Sequence, residues 1–228
     1  ALHFPTAIAP WLLLHRLPGF SYRCFARAQP HHLEAESIVL ALPAGRLAAL
    51  FPAAVVERLA GLRRTGTNDP LWQQMLRDIE RCDELDVHII RQCEPAYPAF
   101  LQHTASAPPL LFVRGNKDVL HLPQLAIVGA RNATAAGLKC AADFARGLAE
   151  RGLTITSGLA LGIDAAAHQG ALNAGGITIG VLGTGVDAIY PRQNGKLAAA
   201  MLERGALVSE LSLGSPAKRE HFPQRNRL

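Results

Sequence analysis

LAIVGARNATAAGLKCAADFARGLAERGLTITSGLALGIDAAAHQGALNAGGITIGVLGTG, residues 125–185, decides the fold of the second half of this chain. It contains three short apolar runs, LAIVGA (125–130), TITSG (154–158) and TIGVLG (178–183). The first two lead into segments whose apolar residues recur every three or four positions, over about 135–151 and 162–174. The third leads into a loop and then a helical segment over about 194–204, and ALVSEL (206–211) closes the series. Short apolar strands alternating with amphipathic helices are the pattern of a parallel sheet buried on both faces. Arg151-Gly152 and Gly175-Gly176 put glycine where a helix C-terminus favours a left-handed residue. The expected fold class is therefore α/β, a Rossmann-like three-layer sandwich with a mainly parallel sheet.

Upstream, VHII (87–90) and LLFVRG (110–115) add two strand-like runs joined by a Pro- and Ala-rich segment. Before about Cys82 the texture is helical, with leucines and alanines at three- and four-residue intervals over 10–17, 22–28, 33–40, 43–50, 53–63 and 70–82. This predicts a small all-α domain over residues 1–84 and an extended Rossmann-like domain over 85–228. LPGF (17–20) reads either as a plain corner between two helices or as a hairpin whose turn amides face a phosphate. The apolar start is interrupted by Pro5, Pro10 and His15 and has no basic leader, so it reads as a packed helix, not a signal peptide. No apolar run reaches the roughly 18 residues of a membrane span. Cys24, Cys82, Cys93 and Cys140 are scattered with no C-x-x-C pair, which argues against a disulfide framework or a zinc site and fits a reducing cytosol.

Charge is placed unevenly. Residues 1–124 carry 12 basic and 11 acidic side chains, whereas 125–228 carry 11 and 7. From Tyr190 onward there are seven basic residues against three acidic ones, which suits either an anionic partner or a solvated face.

In an open parallel sheet, ligands sit beyond the carboxyl ends of the strands, so four loops matter. In IVGAR (127–131), Gly129 allows close backbone approach, and Arg131 offers a forked donor to phosphate or a plane to stack on a base. TSGLALGID (156–164) is a strand–turn–helix in which Ser157, Gly158 and Gly162 frame a turn whose amides suit an anion. Asp164 sits in the first helical turn, in a capping role or a chemical one, and His168 follows four residues on without a third metal ligand. LGTGVDAIYPRQN (182–194) brings Gly183, Tyr190, Arg192 and Asn194, with Lys196 just beyond. An aromatic ring among basic groups is what stacking plus backbone attraction requires, although Tyr190 equally fits a hydroxyl-anchored loop clamp. HFPQRNRL (221–228) ends in Arg225, Asn226 and Arg227, which read as a phosphate clamp or as internal glue to Glu210 or Asp164.

Taken together, these loops resemble the DNA-processing protein A family (DprA, or Smf). The residues that carry the likeness are VGAR (128–131), SGLALGIDAAAH (157–168), GITIGVLGTGVDAIYPRQN (176–194), GALVSE (205–210) and FPQRNR (222–227), in that order. EPAYPAFL (94–101) and APPLLFVRG (107–115) resemble the family's lead-in strands, and LPGF resembles its SAM-like N-terminal domain. Leu161 stands where the family often has arginine, and Ala130 where it has serine. The resemblance implies a cytoplasmic, non-enzymatic protein of natural transformation. Such a protein binds single-stranded DNA, protects it, helps load the RecA recombinase, and forms a homodimer when full-length. It implies no cofactor and no metal. It also implies a chain that continues past Leu228.

Two other classes are open on the same scaffold, a nucleotide-processing or dinucleotide-dependent enzyme and a pure protein-interaction module. A dinucleotide-dependent oxidoreductase is disfavoured by the missing G-x-G-x-x-G and by TSG where an acidic residue would end the next strand. A phosphoribohydrolase lacks its PGG-x-GT-x-x-E motif. A pure protein-interaction module would keep the basic loops for stability alone.

Overall fold

The computed structural model describes residues 2–228, which fall into two compact units. One comprises residues 2–84 with Pro108–Leu110, and the other Leu85–Ala107 with Leu111–Leu228.

The first unit is helical: α1 (Ala9–Arg16), α2 (Tyr22–Ala28), α3 (Ala35–Leu40), α4 (Ala44–Leu50), α5 (Ala53–Thr65) and α6 (Pro70–Glu84). Leu12, Leu13, Leu14, Ile38, Leu59, Leu62 and Met75 are buried at its centre. The LPGF corner turns at Gly19 (φ 82°) and buries Phe20 against Phe25 and Phe51. Arginines tie the helices together. Arg16 makes a two-pronged pair with the buried Asp78. Arg63 donates to the carbonyls of Ile38, Val39 and Leu42, the orphan acceptors at the end of α3. Arg58 holds Asp69, which also accepts from the Leu71 amide and the Thr65 hydroxyl.

The second unit is built on a six-stranded sheet of order β1-β2-β6-β5-β4-β3. Its strands are β1 (Val87–Arg91), β2 (Leu110–Gly115), β3 (Gln124–Ala126), β4 (Thr154–Ser157), β5 (Thr178–Val181) and β6 (Ala206–Ser209). β3 through β6 run parallel and β2 pairs antiparallel to β6. The connections β3–β4, β4–β5 and β5–β6 step in one direction across the sheet. Right-handed crossovers therefore put α8 (Ala135–Ala149), α9 (Ile163–Asn173) and α10 (Gly195–Leu202) on one face. α8 begins at Thr134, whose hydroxyl oxygen accepts from the Gly137 amide. Ala145, Ala149, Ala167 and Ala171 form a small-residue seam over Ile155, and it lets α8 and α9 approach closely. On the opposite face Tyr97, Val119 and Leu120 pack over Leu111, Val113, Ile179 and Val208. Short helices α7 (Ala99–Gln102) and α11 (His221–Arg225) complete the unit.

One expectation fails at the margin. The run 125–130 suggested a fully buried strand, yet β3 spans only 124–126 and is exposed throughout, with Val128 beyond it 73% exposed. β3 is an edge strand paired on one side only, so its apolar residues keep contact with the solvent.

Two predictions follow from this packing. A Cβ on Gly170 would lie 2.2 Å from the Ala142 carbonyl oxygen at the α8–α9 crossing. Gly170→Ala should therefore cost about 1–3 kcal/mol and lower the midpoint of a circular-dichroism melt; an unchanged midpoint would refute the close crossing. In the helical unit, Arg58 holds Asp69 well below the usual carboxylate range, at about 2. A depressed folded pKa contributes stability above about pH 4 that is lost as the pH falls toward 2, here roughly 2 kcal/mol. Trp11 and Trp72 both lie in this unit and are the only tryptophans, so tryptophan fluorescence isolates it. Asp69→Asn should lower its midpoint at pH 6 and flatten its dependence between pH 4 and 2.

Candidate nucleic-acid interface

Three loops at the carboxyl ends of β3, β4 and β5 meet around a cavity of about 700 Å³. Their meeting is sterically enforced. Gly129 lies against Ile163, with an added Cβ 2.7 Å from its Cγ1, and the Ile163 amide donates to the Ala130 carbonyl. Gly162 takes φ 81°, and a Cβ there would lie 2.3 Å from the Ala130 oxygen. The Ser157 hydroxyl, buried, donates to the Ile127 carbonyl at 2.5 Å. The loop after β3 and the turn after β4 thus form one surface.

Onto this surface the C-terminal segment brings α11. Phe222 lies over Gly183, where a Cβ would come within 2.8 Å of its ring. The Arg131 guanidinium stands over one side of that ring, 5.3 Å from the centroid, and Tyr190 lies 5.7 Å from it on a tilted plane. Arg225 reaches back into the sheet, where Nη1 donates to the carbonyls of Gly158 (2.7 Å) and Val181 (2.5 Å) and Nε to the Asn226 side chain. Burial lowers the Arg225 pKa from the usual arginine value, Asp164 opposes that shift, and Arg131 adds to it.

Of the residues singled out from sequence, Gly129, Arg131, Ser157, Gly158, Tyr190, Arg225 and Asn226 line this cavity. Gly162 and Gly183 sit directly behind it as the points of close backbone approach. Arg192 and Lys196 are exposed and lie outside its lining. Asn194 is buried, and its amide donates to the carbonyls of Leu159 and Ala160. Arg227 pairs with Glu210 and donates to the Ser106 carbonyl, so its role here is internal glue. Burial raises the Glu210 pKa, against the pull of Arg227 and His221. Among the lining residues that the sequence reading did not single out are Phe222 and Arg219. Phe222 read as part of a turn but is the ring on which Arg131 and Tyr190 converge, and Arg219 read only as surface charge.

Asp164 is buried and its carboxylate accepts from the Ala160 amide at 3.3 Å, a turn-closing role. His168 is fully buried beside Thr178. Thr178 donates its hydroxyl proton to the Ile155 carbonyl at 2.7 Å, so its oxygen accepts from His168 Nδ1–H. Burial, reinforced by the charge of Arg225, pushes the His168 pKa down to about 3. No group of three His, Cys, Asp or Glu side chains placed to hold a metal occurs among the described residues. No helix among them is long and apolar enough to cross a membrane.

An imidazole kept neutral by the fold favours folding fully above about pH 6.5 and progressively less as the pH falls toward 3. The His168 ring resonances should therefore show no titration down to pH 4 in the folded protein. A midpoint near 6.5 would place that ring in water and break the assigned hydrogen bonds.

Residues 88–228 match the family model described as DNA recombination-mediator protein A. Protein Smf of Escherichia coli is 46% identical over 142 residues, which is 62% of this chain and 38% of that protein. DNA processing protein DprA of Streptococcus pneumoniae is 43% identical over 135 residues, 59% of this chain and 48% of that one. The chain thus spans less than half the length of these curated relatives. The solved DprA structure from Streptococcus pneumoniae superposes with a TM-score of 0.79 at 30% identity, covering 96% of this chain and 73% of that one. DNA processing protein A of Helicobacter pylori, whose solved structure concerns its single-stranded DNA binding mode, gives a TM-score of 0.55 at 28% identity over 62% of this chain and 63% of that one. By its match to the family model and by the architecture on which that match lies, the chain belongs to the DNA recombination-mediator protein A family.

Proposed function

We propose that the cavity at the carboxyl ends of β3, β4 and β5 binds single-stranded DNA. The observation that carries this reading is the grouping of Arg131 and Arg225 with the rings of Tyr190 and Phe222 in one cavity. Guanidinium groups attract phosphate and aromatic planes accept unpaired bases, the two components of sequence-tolerant strand binding. Arg219 adds a further guanidinium to the lining, and Arg192, Lys196 and Lys218 are exposed cations of the same C-terminal part of the chain. The Helicobacter pylori relative, a single-stranded DNA binder by its own structure, supports the same choice of ligand.

On this reading the protein is a binder and not an enzyme. It shields incoming DNA during natural transformation and presents it to the RecA recombinase in the cytoplasm, as a homodimer in the complete protein. The family's description as a recombination mediator supports that role.

Fluorescence anisotropy with a labelled oligothymidine tests the site. Binding should weaken steeply with salt, because phosphate contacts release counterions. Arg131→Ala should weaken it about ten-fold and reduce the slope of log K against log salt by about 0.7, one single-strand phosphate contact. Its thermal midpoint should hardly move, since the guanidinium is exposed. Parental affinity in that variant would rule out this cavity as the strand's site.

A further inference from the structure

The loop between β5 and α10 ends in an asparagine that faces the neighbouring turn, not the cavity. Asn194 is buried, and its Nδ2 donates to the carbonyl oxygens of Leu159 at 2.9 Å and Ala160 at 3.2 Å, across 35 and 34 positions of sequence. A trans peptide is planar, with its C=O and the following N–H on opposite edges. Holding the Leu159 carbonyl toward Asn194 therefore turns the Ala160 N–H away from it. Holding the Ala160 carbonyl turns the Leu161 N–H away in the same manner. The first of these meets the Asp164 carboxylate. The second donates to no acceptor among the described residues. Ala160 and Leu161 line a small hollow together with Arg131, Tyr190, Phe222 and Arg225.

The turn does not hold this shape by local preference. Leu159 has φ 57°, a left-handed conformation that is unfavourable for a residue with a Cβ. Its side chain is fully buried and its carbonyl is the one that Asn194 grips. Tertiary restraint thus supplies what the local sequence withholds.

We propose that Asn194 is a positioning residue: it fixes the direction of the N–H groups in the 158–162 turn, and through them the affinity for an anionic strand, without touching the strand. The proposal rests on the reading of the cavity as a single-stranded DNA site. Unlike Arg131, which contributes charge, Asn194 contributes orientation, and the two separate in measurement.

The test compares Asn194→Ala and Asn194→Asp with the parent chain, using labelled oligothymidine and amide hydrogen exchange without DNA. In N194A the Ala160 amide, which donates to Asp164, should exchange at least about ten-fold faster while the α8 and α9 amides keep their protection. Affinity should fall about ten-fold, the scale of losing the partner of buried carbonyls. The salt slope should stay at the parental value, because no cation is removed. N194D keeps the size of the side chain but sets a carboxylate against two carbonyl oxygens, and only its protonated form donates. Its affinity relative to the parent should recover as the pH falls from 8 to 5, which a purely structural defect would not do. If N194A fails to fold, N194D carries the test through that recovery. Parental affinity together with parental exchange in N194A overturns the proposal. So does a salt slope reduced as in Arg131→Ala, or an N194D affinity with no pH recovery. If the parent itself does not bind oligothymidine, the DNA reading falls, and the orienting role is judged on the exchange pattern alone.

Discussion

A single guanidinium nitrogen joins the ends of two neighbouring strands. Arg225 Nη1 donates to the carbonyls of Gly158 and Val181, at the carboxyl ends of β4 and β5, and the rest of the cavity depends on that bridge. Parallel strands leave carbonyl oxygens at these ends, and a cavity lined by them repels an anion. A cation brought from 44 and 67 positions away satisfies both acceptors and reverses the local sign. It reaches them only because Gly158 has no side chain, since a Cβ there would lie 2.2 Å from Nη1. Gly183 makes the matching space for Phe222, and Phe222 in turn carries Arg131 and Tyr190 at its faces. The seat of α11, the sign of the cavity and the orientation of its aromatic wall are therefore one packing solution.

Much of this architecture was legible in the sequence because its signals are local. The alternation of apolar runs and helical periodicity gave the parallel sheet, and the rule that ligands gather at strand carboxyl ends directed attention to Arg131, Gly158 and Tyr190, which share the cavity. Side-chain commitments were less legible because they are set by partners distant in sequence. Arg225 and Arg227 read alike, as a phosphate clamp or as internal glue to Glu210 or Asp164, and Asn194 read as one more polar group of a binding loop. Yet one bridges strand ends, one pairs with Glu210, and one is buried behind the adjacent turn. Exposure of β3 was missed for a similar reason, since an edge strand differs from a central one by its neighbours and not by its own residues. Phe222 gave no signal of its own, because an aromatic residue before proline does not announce which glycine lies beneath it.

These commitments change how the basic tail is to be counted. Of the seven basic residues from Tyr190 onward, Arg204 donates to the Gly175 carbonyl, Arg225 to the strand ends and Arg227 to Glu210. Arg192, Lys196, Lys218 and Arg219 remain exposed. The surplus of positive charge that marked this region in the sequence thus divides into arginines committed to acceptors of the fold, of which Arg225 shapes the cavity, and cations left to the solvent. Salt screens the two differently, because buried or partly buried pairs are shielded from counterions and exposed charges are not.

The same division bears on why an unpaired strand suits the proposed site better than a duplex. Exposed charges alone would attract any polyanion, single or double. The cavity adds two exposed or half-exposed aromatic rings, Phe222 beneath the Arg131 guanidinium and Tyr190 beside Phe222. Base faces reach such rings only when they are not already stacked in a helix, and unstacking a duplex costs several kcal/mol before any contact forms. A flexible strand brings phosphate and base to neighbouring groups at little such cost. On the proposed reading, selectivity for single strands would come from the spacing between cation and ring, which Gly183 and Gly158 set by admitting α11 so closely to the sheet.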